Sequence, residues 1–271
     1  MEVERRDRMS HLFKRLKGIF LLCILFAGIA CKRGASPSEV AEPEITVAAA
    51  SNLTDVFQRI GPQFEAQTGV HPVFSFGSTA QLATQIENSA PFDVFTAADA
   101  EHVDELEKKN LLVPGSNAVY ATGILALWVP SHGKAKINRL EDVIFPAVRT
   151  IAVAKPELAP YGLATIQTLQ ALGLWDKVKS KIVYAQNINM AKQYGATNNA
   201  DAVFTAYSLV MKESGKVIPV DEKLHRAIAQ ELAILASSRH QAAARKFVAF
   251  LLMGDGRTAL ANSGYRVPSQ R

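Results

Sequence analysis

Short apolar runs along the chain alternate with segments whose apolar residues recur at helical spacing. The run EITVAAA at 44–50 ends in small residues and is typical of a buried parallel strand, and residues 53–60 follow with helical periodicity. The alternation continues with a predicted strand at 70–76, a helix around 82–86 and a strand at 92–97. Because strand and helix alternate, we expect a parallel β/α architecture, which belongs to the α/β fold class.

The same pattern predicts where helices end and where they dominate. Gly61 and Pro62 are expected to end or interrupt the first helix, since proline has no N–H for the helical ladder. From about residue 221 the chain is predicted to be mostly helical, with alanine-rich runs around 227–235 and 242–253. The other predicted elements are strands at 123–129, 150–154 and 202–205 and helices near 103–106 and 164–172.

The first 31 residues have the layout of a secretory signal peptide. A basic stretch precedes the apolar run 18–30, which suits a signal-peptide core and is too short for a permanent membrane helix. We therefore expect export. Residues 32–43, rich in Ser, Pro, Glu and Ala, are predicted to form a tether.

The sequence Gly-Ile-Ala-Cys at 28–31 resembles a lipoprotein processing box, in which Cys31 would be acylated. Gly28 stands where such boxes usually carry a large aliphatic residue, so ordinary cleavage near Ala30 stays open as an alternative. Cys23 and Cys31 are the two cysteines of the chain, and the mature domain is therefore expected to lack an internal disulfide.

Length and charge narrow the class of protein. The chain has 271 residues, enough for two lobes, and its 48% apolar content can build a core in each. The net charge is +5, but residues 1–31 alone carry +3, which leaves the remainder near +2. No later stretch combines clustered basic residues with aromatic ones, so we expect no nucleic-acid partner.

Sequence motifs typical of enzymes are missing. Residues 77–80 (GSTA) lack the G-x-S-x-G pattern of a nucleophile elbow, and no glycine-rich phosphate loop with a lysine is present. The six histidines are scattered without ligand spacing. A cluster of acidic residues around His102 is interpreted as a solvated helix face, so we expect no enzyme, no cofactor and no metal site; the cluster comprises Asp99, Glu105 and Glu107.

Two turns between predicted strands and helices carry hydrogen-bond donors. In open α/β sheets a ligand lies beyond the carboxyl ends of the strands, where helix N-termini offer unpaired N–H groups to anions. Ser51 and Asn52 follow the first strand and are both good N-cap residues. Ser78 follows the second strand and has capping-box spacing with Gln81. Either turn alone could be a plain helix cap, whereas both together could face one anion.

Two later turns are further candidates. Tyr161 precedes the helix predicted near residue 164, and its alternative interpretation is a packed ring with the hydroxyl in water. Ile188 lies at another strand-to-helix crossing, where only its main chain could donate a hydrogen bond. A side chain that faces the core is the alternative for Ile188.

These segments together resemble the molybdate-binding proteins of ABC importers. The resemblance runs from about residue 45 to 268, and its specificity comes from the order and spacing of several segments. The matching segments are VAAASNLTDVF at 47–57, FSFGSTAQLATQI at 74–86, FDVFTAADAEHVDEL at 92–106, KPELAPYG at 155–162 and NNADAVFTAYSLV at 198–210.

The resemblance implies a two-lobed periplasmic binding protein of type II, with a mixed sheet flanked by helices in each lobe and the ligand in the cleft. Lobe one is assigned to 44–121 and 222–271 and lobe two to 122–221. The resemblance also implies a function: binding molybdate, and tungstate with it, in the periplasm and delivering it to an ABC permease with its ATPase subunits. We expect a monomer, with a lipid anchor if Cys31 is acylated.

Site residues carry over position by position from the resemblance. Ser51 and Ser78 match the hydroxyl and amide donors of lobe one, with Asn52 adding its amide, and Tyr161 and Ile188 match the donors of lobe two. Many members of the family have a tyrosine where Ala206 stands in this chain. Tyr161 is the residue that could replace it.

The nature of the oxyanion remains the main alternative. A protein of the same fold could bind sulfate, phosphate or ferric ion instead. A protonated phosphate needs an acceptor for its proton, and the carboxylates of these segments, Asp55 and Glu157, lie away from the predicted contacts. Sulfate is a fully ionised dianion like molybdate, so its exclusion depends on the size of the cavity.

Overall fold

The structure is a computed structural model that describes residues 43–133 and 136–269. The predicted signal peptide, Cys31 and the tether up to residue 42 lie outside these ranges. Within them, no helix is both long and apolar enough to cross a membrane.

The strands and helices alternate along most of the chain, as the hydrophobic pattern predicts. The strands are β1 (Glu44–Ala50), β2 (His71–Gly77), β3 (Val94–Thr96), β4 (Ala118–Gly123), β5 (Leu125–Pro130), β6 (Ile151–Ala154), β7 (Ile182–Ala185), β8 (Ala202–Ala206), β9 (Gly215–Pro219) and β10 (Ile228–Ile234). The α-helices are α1 (Thr54–Thr68), α2 (Thr79–Glu87), α3 (Glu101–Lys108), α4 (Pro160–Ala171), α5 (Trp175–Val178), α6 (Ile188–Ala196), α7 (Tyr207–Val210), α8 (Gln241–Met253) and α9 (Asp255–Asn262).

The strands form two mixed sheets with the same internal arrangement. The first has the order β2-β1-β3-β10-β4, and the second has the order β7-β6-β8-β5-β9. In each sheet three neighbouring strands are parallel, and the fourth strand runs antiparallel to its neighbours. This confirms the two-lobed α/β fold with a mixed sheet in each lobe. We call the part built on the first sheet lobe one and the part built on the second lobe two.

Helices α1 and α8 cover one face of the first sheet through a cluster of phenylalanines. The ring of Phe247 meets those of Phe57 and Phe64 edge-to-face, with centroids 5.7 and 5.2 Å apart. Each such pair contributes about 0.5–1.5 kcal/mol beyond the burial of its area. The opposite face of the sheet packs against α2 and α3 through Leu82 and Val103.

The core of lobe two is centred on β5, whose six residues are all buried. A strand covered on both faces reads as a continuous apolar run, as LALWVP does. Helices α4 and α6 pack against this sheet. Helix α6 packs closely against β8, because a Cβ on Gly195 of the helix would lie only 2.5 Å from a methyl carbon of Val203 on the strand.

The chain crosses between the sheets at two adjacent places. A single residue, Ile124, separates the end of β4 in the first sheet from the start of β5 in the second. The return crossing lies between the end of β9 and Ile228, the first residue of β10. Gly123 is paired with Ile228, so the two crossings lie side by side.

Two predictions about secondary structure were wrong. Helix α1 does not end at Gly61 and Pro62 but continues through both to Thr68, because its apolar face is anchored in the core and Gly61 packs closely against Phe74. The run around 227–235 is strand β10 and not a helix, because it inserts between β3 and β4 and is buried on both faces. Long-range pairing overrides the helical propensity of its alanines.

The other elements that were predicted lie within a few residues of their expected bounds. The strand expected at 44–50 has those bounds, and the strand expected at 202–205 extends one residue further. The run at 123–129 belongs to two strands in different sheets, since β4 ends at Gly123 and β5 begins at Leu125. The helix expected from 164 begins earlier, at Pro160.

Pro62 leads to a test of the helix that the sequence predicted to be broken. Pro62 is exposed and leaves the carbonyl of Gln58 without its helical N–H partner. Pro62→Ala should restore that bond and raise the free energy of unfolding by about 1–2 kcal/mol, after allowance for the greater freedom of the unfolded chain. Urea denaturation measures this, with Gln63→Ala at the adjacent exposed position expected to stay within about 0.5 kcal/mol of the parent. A loss of stability in Pro62→Ala would contradict this account.

Candidate functional site: a cleft at the strand ends

The carboxyl ends of four strands lead into the four candidate turns. Strands β1 and β2 end in lobe one, β6 and β7 end in lobe two, and a helix follows each. Ala50 and Ala98, at the strand ends of lobe one, belong to the same buried cluster as the core of lobe two. The strand ends of lobe one therefore pack against lobe two.

The first turn is a 3-10 helix, Ser51–Leu53, that runs directly into α1. Ser51 and Asn52 do not act as its N-cap: the capping position is Ala50, and no side chain accepts a hydrogen bond from the first turn. The Ser51 carbonyl instead accepts from the Thr54 hydroxyl at 2.8 Å. The N–H groups at this helix start are thus left without a side-chain partner.

The second turn places Ser78 at the N-cap of α2, as the sequence predicted. Its hydroxyl does not cap the helix, however, but donates to the side-chain oxygen of Gln81 at 2.8 Å. The neighbouring Thr79 hydroxyl accepts from the Ala98 N–H at 3.1 Å and so ties this turn to the end of β3. Ser78 is 2% exposed, so any group that it contacts is shielded from bulk water.

The third turn buries Tyr161 in the first turn of α4, directly after Pro160. Gly162 permits the close approach of this turn to β6, since a Cβ there would overlap the carbonyl of Ala154. The Tyr161 hydroxyl accepts a hydrogen bond from Gln230 Nε2 at 2.9 Å, so the hydroxyl does not lie in water. Burial raises the pKa of Tyr161 well above its ordinary value, which keeps the hydroxyl protonated at neutral pH.

The fourth turn is the start of α6 at Ile188. Its N-cap, Asn187, accepts from the Met190 N–H at 2.9 Å, so this helix start has a side-chain cap. The Ile188 side chain is buried in the core of lobe two. The side chain therefore faces the core, as the alternative interpretation held, and a hydrogen bond from Ile188 to a ligand could come only from its main chain.

The turns of lobe one each contact a turn of lobe two. The 3-10 turn Ser51–Leu53 packs against α6. The Ala80 N–H, in the second turn, donates to the carbonyl of Leu158, three residues before Tyr161, at 3.2 Å. The turn at Ser51 is thereby joined to the helix start at Ile188, and the turn at Ser78 to the segment that precedes Tyr161.

Asn52 is held by a buried network rather than by the cleft. Its Nδ2 donates to Gln230 Oε1 at 2.9 Å and to the Tyr265 hydroxyl at 3.0 Å. The Tyr265 hydroxyl in turn donates to the Asn52 carbonyl at 2.7 Å and accepts from Ser208 of lobe two at 3.0 Å. Both amide protons are thus engaged, and an anion could be contacted only by the main-chain N–H of Asn52.

Sequence reasoning missed Gln230 and the two tyrosines that surround it, Tyr120 and Tyr265. Gln230 lies within the run predicted to be a helix, where the available signal was a glutamine in an otherwise apolar segment. Tyr120 and Tyr265 stand outside the segments that carry the resemblance. Burial raises the pKa of both tyrosines above the ordinary value, so they remain neutral.

Position 206, where related proteins often have a tyrosine, is filled by the buried Ala206 at the start of α7. The next residue, Tyr207, donates its N–H to the carbonyl of Ile124 at 2.8 Å. Its ring packs against Gly264, where a Cβ would lie 2.7 Å from a ring carbon. This packing accounts for the position of Tyr207 without a contact to a ligand.

The charged groups near the cleft are engaged with one another. Lys192 of α6 forms ion pairs with Glu213 at 2.8 Å and, across the lobes, with Asp55 at 3.6 Å. A hydrogen bond to Asp99 raises the pKa of His102, as expected for a histidine beside a carboxylate on a helix face. Within residues 43–133 and 136–269, no three His, Cys, Asp or Glu side chains are grouped as metal ligands would be.

Two mixed sheets of the same internal order, joined by two adjacent chain crossings, are the architecture of a class of binding proteins. The family described as bacterial extracellular solute-binding protein matches residues 45–266. Proteins of this class bind a solute outside the cytoplasm as the receptor component of an ABC transporter and are not enzymes.

Individual relatives narrow the class further. The molybdate-binding protein ModA of Rhodobacter capsulatus is 34% identical to this chain, over 82% of this chain and 88% of its own length. ModA of Azotobacter vinelandii is 38% identical to this chain, over 77% of this chain and 84% of its own length. The solved structure of the Azotobacter vinelandii periplasmic molybdate-binding protein matches with a TM-score of 0.79 and 30% identity, over 83% of this chain and 100% of that one. The chain belongs to the molybdate-binding protein ModA family.

Proposed function

We propose that this protein binds molybdate, and tungstate with it, in the cleft between its lobes and delivers the anion to an ABC importer. The contacts in this proposal are the hydroxyls and main-chain N–H groups of Ser51 and Ser78, the main-chain N–H groups of Asn52 and Ile188, and the hydroxyl of Tyr161. The Ser78 hydroxyl, which donates to Gln81 in the structure, turns to the anion on binding. The permease and its ATPase subunits are the partners. The protein acts as a monomer in the periplasm.

The observation that supports the proposal is that candidate helix starts of the two lobes contact each other and that most of them lack side-chain caps. Three of the four turns, those at Ser51, Ser78 and Tyr161, have no side chain bonded to the first N–H groups of the helix. Buried N–H groups normally find a partner, because leaving one unpaired costs about 1–3 kcal/mol. A tetrahedral dianion can satisfy several of them at once, and each charge-assisted bond contributes about 1.5–3 kcal/mol.

The chemistry of the donors favours a fully ionised anion over a protonated one. The side chains bonded to Asn52, Ser78 and Tyr161 are Gln81, Gln230 and Tyr265, all of them neutral. Asp55, the nearest acidic residue in sequence to the first turn, is paired with Lys192. A site without a carboxylate acceptor disfavours a phosphate that carries a proton, whereas sulfate must be excluded by size.

Closure of the two lobes forms part of the proposal. The sequence assigned 44–121 and 222–271 to lobe one and 122–221 to lobe two. Because β4 of the first sheet ends at Gly123, we place the hinge at Ile124 and at the return crossing before Ile228. The hydrogen bonds between Ala80 and Leu158 and between Ser208 and Tyr265 join the lobes. A ligand bonded to both lobes would favour this closed arrangement through contacts that an open form lacks.

The N-terminal part of the proposal concerns membrane attachment. If the box at 28–31 is used, Cys31 becomes the acylated first residue, and 32–43 tether the domain to a membrane. Mass spectrometry of the protein from a bacterial host should then find an N-terminal Cys31 carrying lipid. An unmodified mature N-terminus beyond Cys31 would remove this part of the proposal and leave the binding function untouched.

Calorimetry of the mature domain tests the binding function. We expect one molybdate or tungstate ion per chain, bound at least about a hundredfold more tightly than sulfate, which corresponds to about 2.7 kcal/mol. Sulfate and phosphate are the competing ligands of the same fold, titrated under the same conditions. Equal affinity for sulfate would replace molybdate with a general oxyanion, and no binding of any of the four would contradict the proposal.

Tyr161 offers the sharpest test of an individual contact. Tyr161→Phe keeps the ring and removes the hydroxyl, so molybdate binding should weaken by about 1.5–3 kcal/mol, tenfold to somewhat more than a hundredfold. The free energy of unfolding should also fall by about 1–3 kcal/mol, because Gln230 Nε2 loses its acceptor. Tyr184→Phe, at an exposed tyrosine of β7, is the matched control and should change neither quantity. Full affinity in Tyr161→Phe would mean that another group fills this position.

A further inference from the structure

Gln230 is a fully buried polar side chain at the junction of the two lobes. It lies on β10, between β3 and β4, and is 0% exposed. The pairing with β4 shifts at this point, because Gln230 pairs with Ala121 and Glu231 with Val119, which leaves Tyr120 as an extra residue. Such a bulge re-aims side chains, and here the Tyr120 hydroxyl reaches Gln230 Oε1 at 2.9 Å.

The hydrogen bonds of Gln230 determine which way its amide faces. Its Oε1 accepts from Asn52 Nδ2 and its Nε2 donates to the Tyr161 hydroxyl, both at 2.9 Å. The single proton of the Tyr120 hydroxyl is shared between Oε1 and the main-chain carbonyl of Ala97, each at 2.9 Å, so Asn52 is the group that sets the direction of the amide. The reversed amide would set its NH2 group against the NH2 group of Asn52. Tyr265 prevents Asn52 from turning in response, since it accepts from Asn52 Nδ2 while donating to the Asn52 carbonyl.

This order of donors and acceptors extends to the Tyr161 hydroxyl. A tyrosine hydroxyl has one proton to donate and accepts through its oxygen. Because Gln230 donates to that oxygen, the proton of Tyr161 does not point at Gln230. Among the residues that the structure describes, the bond from Gln230 is the one hydrogen bond of this hydroxyl, so its proton remains for a ligand.

The contact between Gln230 and Tyr161 is built at the chain crossing. Gly123 is the last residue of β4, and a Cβ there would lie 2.5 Å from Gln230 Nε2 and would overlap the Tyr161 oxygen. Its strand partner Ile228 begins β10 and packs into the core of lobe two. Groups beside a hinge move little when lobes rotate, so this contact can persist as the cleft opens and closes.

We propose that Gln230 is a positioning residue that orients the Tyr161 hydroxyl so that its proton faces the bound oxyanion. Gln230 does not touch the ligand in this proposal and acts only through Tyr161. The inference rests on the proposed function and names a determinant of its selectivity. A hydroxyl held as a donor suits a fully ionised anion. A freely rotating hydroxyl could also accept a hydrogen bond from an anion that carries a proton.

A double-mutant cycle separates positioning from a general structural role. Gln230→Met, of similar length and without hydrogen-bonding groups, should weaken molybdate binding about tenfold, since the hydroxyl is no longer oriented. In a Tyr161→Phe background the same change should weaken binding no more than about twofold, because there is no hydroxyl left to orient. Losses that multiply in the double variant would overturn the inference.

A matched control removes a different buried hydrogen bond from the same sheet. The Thr96 hydroxyl on the neighbouring strand β3 donates to the carbonyl of Ala48 at 3.3 Å and has no contact with Tyr161. Thr96→Val should lower the melting temperature and leave molybdate affinity within about twofold of the parent. An equal loss of affinity in Thr96→Val and Gln230→Met would mean that any buried defect weakens the site, which also overturns the inference.

Tyrosine labelled with carbon-13 at Cζ supplies a readout that structural damage alone would not reproduce. With the Tyr161 signal assigned by Tyr161→Phe, molybdate should shift it in the parent while the side-chain amide protons of Gln230 keep their positions. If both signals move strongly, Tyr161 changes its partner on binding and the inference fails. This measurement uses the parent protein, so it tests the positioning role of Gln230 even if Gln230→Met does not fold.

The outcomes distinguish this inference from the function on which it rests. If the parent protein binds none of the oxyanions in calorimetry, the proposed function is contradicted, and the inference about Gln230 is contradicted as well. If the parent binds molybdate but the losses multiply or the Gln230 signals move, only the role of Gln230 is lost.

Discussion

A dianion bound between two lobes without a cationic side chain needs an excess of hydrogen-bond donors, and this constraint governs the proposed site. The candidate donors are the helix starts after β1, β2 and β6 that lack side-chain caps, together with the start of α6. Contacts between the lobes join these turns in pairs, through the 3-10 turn and α6 and through Ala80 and Leu158.

The buried network behind the cleft serves the same constraint. In a neutral network each unpaired group weakens the fold by about 1–3 kcal/mol, and here the side-chain oxygen of Asn52 has no partner among the described residues. Around Gln230 the bonds run from Asn52 to the amide oxygen and from the amide nitrogen to Tyr161, and Tyr120 shares its proton between that amide oxygen and the carbonyl of Ala97. Burial raises the pKa of Tyr120 and of Tyr161, so both hydroxyls stay protonated near neutral pH. The direction of donation in the network therefore does not change there.

Most elements could be predicted because their local pattern agrees with their place in the fold. The strand at 44–50 is apolar throughout and lies between two other strands, so sequence and burial coincide. The failures came where packing outweighs propensity. Helix α1 continues past Pro62 because its apolar face is anchored in the core, and β10 is a strand because β3 and β4 provide its hydrogen bonds.

The sequence by itself determined the alternation of strands and helices, the small and polar residues of each turn, and the family resemblance that singles out Ser51, Asn52, Ser78, Tyr161 and Ile188. Only the tertiary structure decided which of these turns lack side-chain caps and how they are joined. It committed the amide of Asn52 to a network instead of the cleft, and it brought Gln230 to Tyr161, 69 residues apart in the chain. The reason is physical: a hydrogen bond between distant residues depends on the relative placement of whole sheets, which no local pattern encodes.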